Sequence, residues 1–378
     1  MVLGIDATTL GSGGFQRHLV EILRNYGSRN NEFESIKIWG PGIVLKQIPN
    51  SVYIEKISHP LLNGNLFSRF LWKLLFRDSS FKNENIDVLL DPTGFYTGNF
   101  HPYVTMSRNM LIFDRKEQQR FGFSFLRFKF IFLGLIQRKS FNNSDAIIFI
   151  SEYSMKFISK LVDLRKKKTV IIHHGVSPIF INKPKIQYQI DYYSVANPFK
   201  ILYVSSFFSY KHQNKVLECI IRLRNKGYPI TIQFIGNVGQ KSFSDHLEIK
   251  IQMNSDFVFW EKNISLEEIV KYYHASDCFI FASSCENMPN ILIEAMASGL
   301  PIICSNYNPM PEFLQEAGLY FDPENVDQLE SSLQLMIDDF RLRTILSSKS
   351  FNIAKNFNWT TCADRTFELL NNLVSNKI

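Results

Sequence analysis

Short apolar segments alternate with amphipathic ones along most of the chain, and this alternation constrains the fold more than any other feature. The apolar segments are rich in Ile, Val and Phe, as buried strands are, and the segments between them have helical spacing. Strands that alternate with helices predict parallel sheets, because a parallel pair needs a long crossover connection. The sequence therefore predicts an α/β fold. The predicted strands are VLGIDA, SIKIWG, VYIEKI, DVLLDP, YVTMS, AIIFIS and VIIHHG in a first series, and ILYVSS, TIQFIG, FVFW, CFIFASS and PIICS in a second.

A stretch without clean periodicity separates the two series. The segment SPIFINKPKIQYQIDYYSVANPFK contains three prolines, which indicates a connection between domains at about 180–199. We expect a Rossmann-like lobe over residues 1–185, a second over 186–358, and a last amphipathic helix over 359–378. A length of 378 residues is sufficient for two such lobes.

The composition excludes several classes of protein. The chain is 45% hydrophobic and 20% charged, which is typical of globular domains. Its five cysteines have no zinc-like spacing and are odd in number, so we expect buried thiols in a reducing cytosol. No Asp-x-Asp motif or His/Cys cluster predicts a metal site, and no apolar segment reaches the length of a membrane span.

Positive charge is concentrated in the first half of the chain. Residues 1–185 contain 26 Lys and Arg against 14 Asp and Glu, a net charge of +12, whereas the remainder has −5. This asymmetry favours an anionic partner, namely a phospholipid surface, a phosphorylated substrate or nucleic acid. No nucleic-acid motif accompanies the charge, so nucleic acid is not expected.

Two interpretations are open for the position of two segments that are rich in basic and aromatic residues, LFSRFLWKLLFR and FSFLRFKFIFLGLIQRK. Each helix taken singly favours packing on the first sheet, with Lys and Arg stems covering apolar surface. The net charge of the whole lobe favours contact of at least one of them with an anionic membrane surface.

The stretch SSCENMPNILIEAMASGLP, residues 283–301, places two carboxylates around a predicted helix start. It follows a predicted strand and therefore lies at the edge of the sheet where ligands bind. The helix N-terminus offers N–H groups and partial positive charge to a phosphate. Glu286 and Glu294 can each accept hydrogen bonds from hydroxyl groups, which fits a ligand with sugars on both sides of a diphosphate. By spacing alone, an exposed loop glutamate and a helix glutamate paired with Lys or Arg fit equally well.

The segment CENMPNILIEAMASGLP resembles the two-glutamate motif of the retaining, nucleotide-sugar-dependent glycosyltransferases of GT-B architecture, the family 4-like group also called glycosyl transferases group 1. Other segments match in the same order. ILYVSSFFSYKH resembles the first strand and phosphate-binding loop of that family's second lobe, and DAIIFISEYS and VIIHHGVSP resemble the last two strands of its first lobe. The resemblance implies two Rossmann-like lobes facing a cleft, an acceptor-binding N-lobe, a donor-binding C-lobe, and a C-terminal helix that crosses back to the N-lobe.

The resemblance also implies roles for individual residues. Glu286 would hold hydroxyl groups of the donor sugar, Glu294 the nucleotide ribose, and Lys211 the diphosphate, with Glu286 and Lys211 as the catalytic pair. Further donor-site residues would be Ser206 and, through backbone N–H groups between the glutamates, Asn287, Met288, Pro289 and Asn290.

One departure from the family pattern concerns charge. The family usually has an arginine five residues before the lysine, where this chain has Ser206. A serine donates one hydrogen bond without positive charge, so stabilisation of the diphosphate must rest on Lys211, the helix N-terminus or another cation. His212, next to the lysine, is expected to be inert.

In the N-lobe, GSGGFQRH follows the first strand. Gly13 and Gly14 permit close approach of a phosphate to the backbone, and the resemblance places Gly14 beside the diphosphate and acceptor. Where many family members have a histidine near the reacting carbon, this chain has Arg108 and Asn109, so a histidine acid or base is not expected there. His174 is interpreted as a structural cap at a strand end.

The function implied is transfer of a sugar, with retention of anomeric configuration, from a nucleoside-diphosphate sugar to an acceptor hydroxyl by a metal-independent, hexosyltransferase-like enzyme without a cofactor. The expected acceptor is a lipid-linked saccharide in bacterial surface polysaccharide synthesis (O-antigen, capsule or lipopolysaccharide). The expected location is the cytoplasm, with peripheral attachment to the inner face of the plasma membrane left open. Two alternatives remain, namely an epimerase or hydrolase of nucleotide sugars with the same fold, and a non-catalytic nucleotide-sugar-binding partner.

Overall fold

The computed structural model describes residues 1–10, 14–26, 32–165 and 167–375. The strands are β1 (Val2–Asp6), β2 (Ser35–Trp39), β3 (Ile54–Ile57), β4 (Val88–Asp91), β5 (Tyr103–Ser107), β6 (Ala146–Phe149), β7 (Lys168–Ile171), β8 (Phe199–Val204), β9 (Ile230–Ile235), β10 (Val258–Glu261), β11 (Cys278–Phe281), β12 (Ile302–Ser305) and β13 (Leu319–Phe321). The helices are α1 (Gly14–Arg24), α2 (Gly42–Leu45), α3 (Pro60–Asn63), α4 (Leu66–Leu75), α5 (Arg77–Asn83), α6 (Arg115–Gln119), α7 (Phe125–Asn143), α8 (Glu152–Ile158), α9 (Gln213–Asn225), α10 (Lys241–Gln252), α11 (Leu266–Ala275), α12 (Asn290–Ala297), α13 (Met310–Leu314), α14 (Val326–Asp338), α15 (Phe340–Ala354) and α16 (Trp359–Ser375).

The chain divides into two compact units. The first consists of Met1–Phe113, Phe125–Gly175 and Asn358–Ile378, and the second of Asp114–Ser124 and Val176–Phe357. In the first unit α16 packs against α1, so the end of the chain returns to the unit in which the chain begins. The division differs from the sequence-based one chiefly in the segment 114–124, which lies within the first half of the chain yet belongs to the second unit.

The first unit is built on a parallel sheet with the strand order β3-β2-β1-β4-β5-β6-β7. Each predicted strand of the first series is present. The order reverses between β1 and β4, and such a switch point creates a crevice at the carboxyl edge of a sheet. One side of the sheet is covered by an aromatic cluster that includes Trp39, Trp72 and Phe81, all buried.

Two matching turns hold the carboxyl edge of the first sheet. Asp6 at the end of β1 accepts hydrogen bonds from the backbone N–H and the hydroxyl of Thr8, at 3.0 and 2.5 Å. Asp91 at the end of β4 does the same with Thr93, at 3.0 and 2.6 Å. The hydroxyls of Thr9 and Thr93 then join the two turns at 2.7 Å. Burial, followed by the charge of Asp6, raises the pKa of Asp91.

The second unit is built on a parallel sheet with the strand order β10-β9-β8-β11-β12-β13. The five predicted strands of the second series are confirmed, whereas β13 was not predicted. Helix α11 begins with a capping box, in which the Ser265 hydroxyl accepts from the Glu268 N–H and the Glu268 carboxylate accepts from the Ser265 N–H. Helix α12 ends at Ala297, and Gly299 just beyond it has a φ of +66°, the left-handed conformation that favours glycine.

The next features concern the cysteines, membrane-spanning helices and metal sites among the described residues. All five cysteines lie in the described part of the chain, and each is buried and free. Among the described helices, none combines the length and apolarity needed to cross a bilayer. In the same part of the chain, no group of His, Cys, Asp and Glu side chains is arranged to hold a metal ion.

Arg343 on α15 ties the connecting segment to the helices of the second unit. Its side chain is 0% exposed. Its guanidinium donates to the carbonyls of Met336 (2.7 Å), Ile337 and Tyr188, and to the side-chain oxygen of Gln187 (3.0 Å). These acceptors satisfy a charge that would otherwise be costly to bury, and burial lowers the pKa of Arg343.

Substituting Arg343→Met should destabilise the second unit, because it leaves buried carbonyl groups without donors. We expect a loss of about 3 kcal/mol in the free energy of unfolding, since each unsatisfied buried group costs about 1–3 kcal/mol. Urea and thermal unfolding of the full chain measure it. Arg341→Met, at an exposed position two residues away, is the control and should change stability by less than about 0.5 kcal/mol. Equal effects of the two substitutions would contradict this role of Arg343.

Candidate functional site

The candidate site lies at the carboxyl edge of the second sheet, within the second unit. The strand order reverses between β8 and β11, so the helices that follow these two strands lead to opposite sides of the sheet. The loops after β8 and β11 therefore diverge from a common crevice, which is where ligands bind in open α/β sheets. The first loop carries Lys211 and the second carries Glu286.

Lys211 and Glu286 form an ion pair across these two loops, through Lys211 Nζ and Glu286 Oε1. Their side chains are only 10% and 17% exposed. The ammonium also lies 5.2 Å from the centre of the Tyr210 ring and 5.7 Å from that of Phe281. Aromatic faces attract a cation, so the rings add to the attraction of the carboxylate. The two predicted catalytic residues are thus brought together, and each neutralises the charge of the other.

Hydrogen bonds join the backbones of the same two loops. The backbone N–H of Ser284 donates to the Tyr210 carbonyl at 2.9 Å, and the Ser284 hydroxyl lies 3.0 Å from His212 Nε2. The buried hydroxyl of Tyr203 donates to the carbonyl of Lys211. Burial, followed by the charge of Glu286, raises the pKa of Tyr203 well above its usual value, so this hydroxyl remains a donor at neutral pH. The loop that carries Lys211 is therefore held from two sides.

Glu294 lies in the middle of α12 with its side chain buried. The hydroxyl of Tyr273 on α11 lies 3.3 Å from Glu294 Oε2 and 3.3 Å from the carbonyl of Ile291. The carboxylate therefore has a tyrosine hydroxyl as a partner within the protein, whereas the sequence offered a ligand hydroxyl or a Lys or Arg side chain as its partner. Ile291 precedes Glu294 by three residues, so the two side chains lie on the same face of α12.

A pocket of about 210 Å³ opens at this edge of the sheet. Ser206 after β8, Asn237 after β9 and Asn263 after β10 contribute polar groups, and Ile264 and Ile291 contribute apolar wall. Apolar walls with a few polar groups are typical of sites for small molecules. Since such sites usually enclose about 300–1,000 Å³, this pocket fits only part of a nucleotide sugar.

Ser206 is exposed and lines the pocket. Its backbone carbonyl accepts hydrogen bonds from the Gln213 amide and from the Ser205 hydroxyl, each at 3.1 Å. Ser206, which stands where the family usually has an arginine, therefore lies on the pocket wall, and an arginine there would bring positive charge. Lys211, five residues later in the same loop, is the cation of this segment.

The predicted backbone donors before α12 need a correction. Pro289 has no N–H group and cannot donate a hydrogen bond. The N–H of Asn290 donates to the carbonyl of Met288 at 3.0 Å. Asn287 and Met288 have buried side chains in the loop that leads from Glu286 into the helix. The role proposed for these N–H groups in holding a ligand stays a prediction.

The remaining predicted residues belong to the first unit. Gly14 is the first residue of α1, and Gly13 lies outside the described residues. Burial lowers the pKa of Arg108, in the loop after β5, to about 9. Asn109 accepts a hydrogen bond from the Leu111 N–H at 3.0 Å. His174 is buried, with its ring 5.6 Å from that of Trp359 and 4.7 Å from that of His18 (between centroids), so it packs within an aromatic cluster.

One segment near the site, residues 114–124, was not predicted from the sequence to lie there. The segment 114–124 contributes Glu117, whose carboxylate reaches Ser284 beside the Glu286 loop. In the sequence this glutamate stands in the charged run DRKEQQR, which is typical of a solvated helix. A local pattern cannot distinguish the two environments, because the burial of Glu117 arises from contacts with residues far along the chain.

Comparison with known proteins finds a family match over most of the second unit. Residues 190–352 match the family described as glycosyl transferases group 1. The O-antigen chain mannosyltransferase B of Escherichia coli is 32% identical over 100 residues, 26% of this chain and 26% of that protein. The N,N'-diacetylbacillosaminyl-diphospho-undecaprenol alpha-1,3-N-acetylgalactosaminyltransferase of Campylobacter jejuni is 22% identical over 248 residues, 64% of each chain. This chain thus spans about a quarter of the first relative and slightly less than two thirds of the second.

The fold is shared with solved structures over nearly the whole chain. The crystal structure of Anabaena HepE in complex with UDP has a TM-score of 0.70 to this chain, at 17% identity, and covers 98% of this chain and 99% of that one. Together with the two doubly wound sheets, this similarity confirms the predicted α/β fold of GT-B type.

Gly236 allows the loops after β8 and β9 to approach each other at the pocket. Its φ is +149°, and a Cβ atom there would lie 2.1 Å from the carbonyl oxygen of Ser205. Gly236→Ala should therefore displace the backbone next to Ser206 and destabilise the second unit by about 2–3 kcal/mol. Thermal unfolding measures the change. Gly227→Ala is a matched control, because Gly227 also has positive φ (+94°) but open space around its Cα. If both substitutions have the same effect, the close approach to Ser205 is not important for stability.

Proposed function

We propose that this chain is a glycosyltransferase, because residues 190–352 match the family described as glycosyl transferases group 1. It would move a sugar from a nucleoside-diphosphate sugar to an acceptor hydroxyl. The observation that carries the proposal is the Lys211–Glu286 ion pair, which joins the loops after β8 and β11 at the carboxyl edge of the second sheet. A cation for a diphosphate and a carboxylate for sugar hydroxyls then stand side by side, as a nucleotide sugar requires.

Lys211 would exchange partners when the donor binds. Its ammonium is paired with Glu286 and lies close to the aromatic rings of Tyr210 and Phe281. A diphosphate carries more negative charge than one carboxylate, so it would draw the ammonium toward its oxygens. The same ammonium would then stabilise the negative charge that develops on the departing nucleoside diphosphate. We propose no metal or cofactor for this step.

The two glutamates would hold the sugars on either side of the diphosphate. Released from Lys211, Glu286 would accept hydrogen bonds from hydroxyl groups of the transferred sugar. Glu294 would accept from the nucleotide ribose, since it lies on the face of α12 that carries the pocket residue Ile291. Ser206 would contribute one neutral hydrogen-bonding group at the pocket wall.

The reaction is proposed to retain the anomeric configuration. In the same-face mechanism, the acceptor hydroxyl attacks the anomeric carbon as the bond to the diphosphate breaks, and the departing phosphate oxygen receives the proton of that hydroxyl. A trapped covalent glycosyl-enzyme would exclude this mechanism, and an inverted product would exclude retention.

The acceptor is proposed to be a lipid-linked saccharide in bacterial surface polysaccharide synthesis, on the inner face of the plasma membrane. The name of the Escherichia coli relative refers to an O-antigen chain, and the name of the Campylobacter jejuni relative contains a diphospho-undecaprenol acceptor. The positive charge of residues 1–185 fits an acceptor that is presented at an anionic surface.

Two helices of the first unit expose apolar faces that support peripheral membrane binding. On α7, Phe125, Phe128 and Phe132 are exposed at helical spacing, and Leu135 continues the same face. On α4, the exposed apolar residues are Phe67, Phe70, Leu74 and Leu75. Phe141 of α7 is buried in the core of the first unit, so one face of this helix packs on the unit while the face named here stays exposed. Exposed Lys129, Arg138 and Lys139 on α7 add the positive charge that anionic headgroups attract.

The donor site is tested by separating nucleotide binding from transfer. Lys211→Ala should weaken nucleoside diphosphate binding by about 10- to 100-fold, the effect of losing a charged hydrogen bond. Glu286→Gln should leave that binding unchanged or tighter, because it releases Lys211, yet should slow transfer from the nucleotide sugar by about 10- to 100-fold. Titration calorimetry with UDP, GDP and ADP measures binding. Turnover of nucleotide sugars, with and without saccharide acceptors, measures transfer.

The same assays distinguish the alternatives. Turnover that needs no acceptor would indicate an epimerase or hydrolase, and nucleotide binding without turnover would indicate a non-catalytic partner. Lys215→Ala is the control for Lys211→Ala, since it removes a nearby lysine that follows the loop on α9. Equal loss of binding in both variants would contradict a specific role for Lys211.

Membrane binding is tested with the double variant Phe128→Ser, Phe132→Ser. We expect the unaltered chain to sediment with vesicles that contain phosphatidylglycerol, and less so as ionic strength rises. The double variant should bind at least about tenfold more weakly, because a fully buried aromatic side chain contributes about 1.5–3 kcal/mol. Ile249→Ser with Met253→Ser, at exposed positions of the second unit, is the control and should bind normally. Absence of vesicle binding at every ionic strength would contradict the proposal.

A further inference from the structure

A short segment from the first half of the chain reaches the candidate site. Residues 114–124 belong to the second unit, although the chain before and after them belongs to the first. Helix α6 begins here, with the Asp114 side chain accepting from the Glu117 N–H at 3.0 Å as its N-terminal cap. Farther along, the ring of Phe121 lies 6.4 Å from that of Tyr210, the residue before Lys211. The segment thus packs on the loop that carries the proposed diphosphate-binding lysine.

Glu117 is the most buried charged residue of this segment, with 1% of its surface exposed. Its Oε2 accepts a hydrogen bond from Arg120 Nε at 2.6 Å and one from the Ser284 hydroxyl at 2.8 Å. Arg120 also pairs with Glu324 within the second unit. A buried carboxylate is stable only when its charge is compensated in this way, so Glu117 depends on both partners.

The hydrogen bonds around Ser284 have a defined direction. The Ser284 hydroxyl has one proton and two neighbours that only accept, the Glu117 carboxylate at 2.8 Å and the Tyr210 carbonyl at 3.1 Å. The shorter contact, to a charged acceptor, makes the hydroxyl a donor to Glu117. The 3.0 Å contact with His212 Nε2 is then best satisfied if this nitrogen carries the proton and donates to the serine oxygen. Burial, followed by the charge of Arg120, lowers the pKa of His212 to about 4, consistent with a neutral imidazole. The chain of donors therefore runs from His212 through Ser284 to Glu117.

This direction excludes a nucleophilic triad. An activated serine donates its proton to an imidazole, and a carboxylate orients that imidazole. Here the serine donates to the carboxylate, and the imidazole bonds to the serine oxygen. The three residues therefore hold structure together at this site and do not generate a nucleophile.

The chain of hydrogen bonds connects the two loops of the proposed donor site. His212 follows Lys211 directly, and Ser284 precedes Glu286 by two residues. His212 also has φ +53° and ψ +29°, a left-handed conformation that costs energy in a residue other than glycine. Such a conformation persists when surrounding contacts enforce it, and the bond to Ser284 is one such contact.

We propose that Glu117 is a positioning residue of the donor site. Through Ser284 and His212 it holds the loops of Lys211 and Glu286 at the separation that the diphosphate and the first sugar of a nucleotide sugar require. The role in ligand binding rests on the proposed function, whereas the ordering of the two loops does not. Because Glu117 would act through other residues, its removal should affect the phosphate end of the ligand and spare the nucleoside end.

The ordering of the loops is tested first, without ligand. Hydrogen–deuterium exchange of the full chain, read on peptides that cover 205–213 and 282–290, should be faster in Glu117→Ala than in the unaltered protein. Glu330→Ala is the matched control, because Glu330 is a buried carboxylate of the second unit that also pairs with two cations, Arg222 and Lys226. Its loss should leave exchange in both peptides unchanged. Unchanged exchange in Glu117→Ala would overturn the proposal.

The effect on the ligand is tested by a double-mutant cycle with Lys211→Ala. Glu117→Ala alone should weaken binding of UDP or GDP about tenfold, and binding of uridine or guanosine by less than about twofold. In the Lys211→Ala background the additional loss should nearly vanish, since the lysine that Glu117 positions is then absent. Glu117→Gln keeps an acceptor oxygen for Ser284 and should lose less affinity than Glu117→Ala.

The outcomes separate this inference from the proposed function. Additive losses in the cycle, or equal losses for nucleoside and nucleoside diphosphate, would show that Glu117 does not act through Lys211 and would overturn its positioning role. Failure of the unaltered protein to bind any nucleoside diphosphate would overturn the proposed function. In that event, the exchange measurement still decides whether Glu117 orders the two loops.

Discussion

The ion pair between Lys211 and Glu286 is the interaction on which the candidate site depends. Both side chains are largely withdrawn from water, so neither charge is stable there without the other. The pair requires the loops after β8 and β11 to lie side by side, and they do so because β8 and β11 are neighbours in the sheet although two strands separate them in the sequence. The topology of the sheet thus decides where the charges lie, and the charges then constrain the shape of the loops.

The opposite charges of the pair satisfy each other, which avoids the cost of a buried unpaired ion. In the function proposed above, a diphosphate would offer the lysine a stronger partner and would leave the carboxylate able to accept from hydroxyl groups. The aromatic rings around Lys211 reduce its hydration in both states, which strengthens either interaction.

The parts of the fold that could be predicted are those in which a local pattern has a local physical cause. The short apolar segments predicted the strands, because buried parallel strands must be apolar on both faces. The spacing of Ser265 and Glu268 is that of a capping box at a helix start, and Gly299 is a typical residue just after a helix end, because capping depends on residues close together in sequence. β13 has only three residues, with Leu319 and Tyr320 partly exposed, and so lacked the apolar signal of the other strands.

The sequence by itself determined the α/β class, the two strand series and the residue types available for a phosphate and for hydroxyl groups, since these depend on periodicity and on side-chain chemistry. Only the tertiary structure decided which of these residues meet. It paired Lys211 with Glu286, placed Tyr273 against Glu294, and buried Glu117 of a charged surface-like segment beside Ser284. Each of these contacts joins residues from different elements, and their cost or benefit depends on burial, which no local sequence pattern contains.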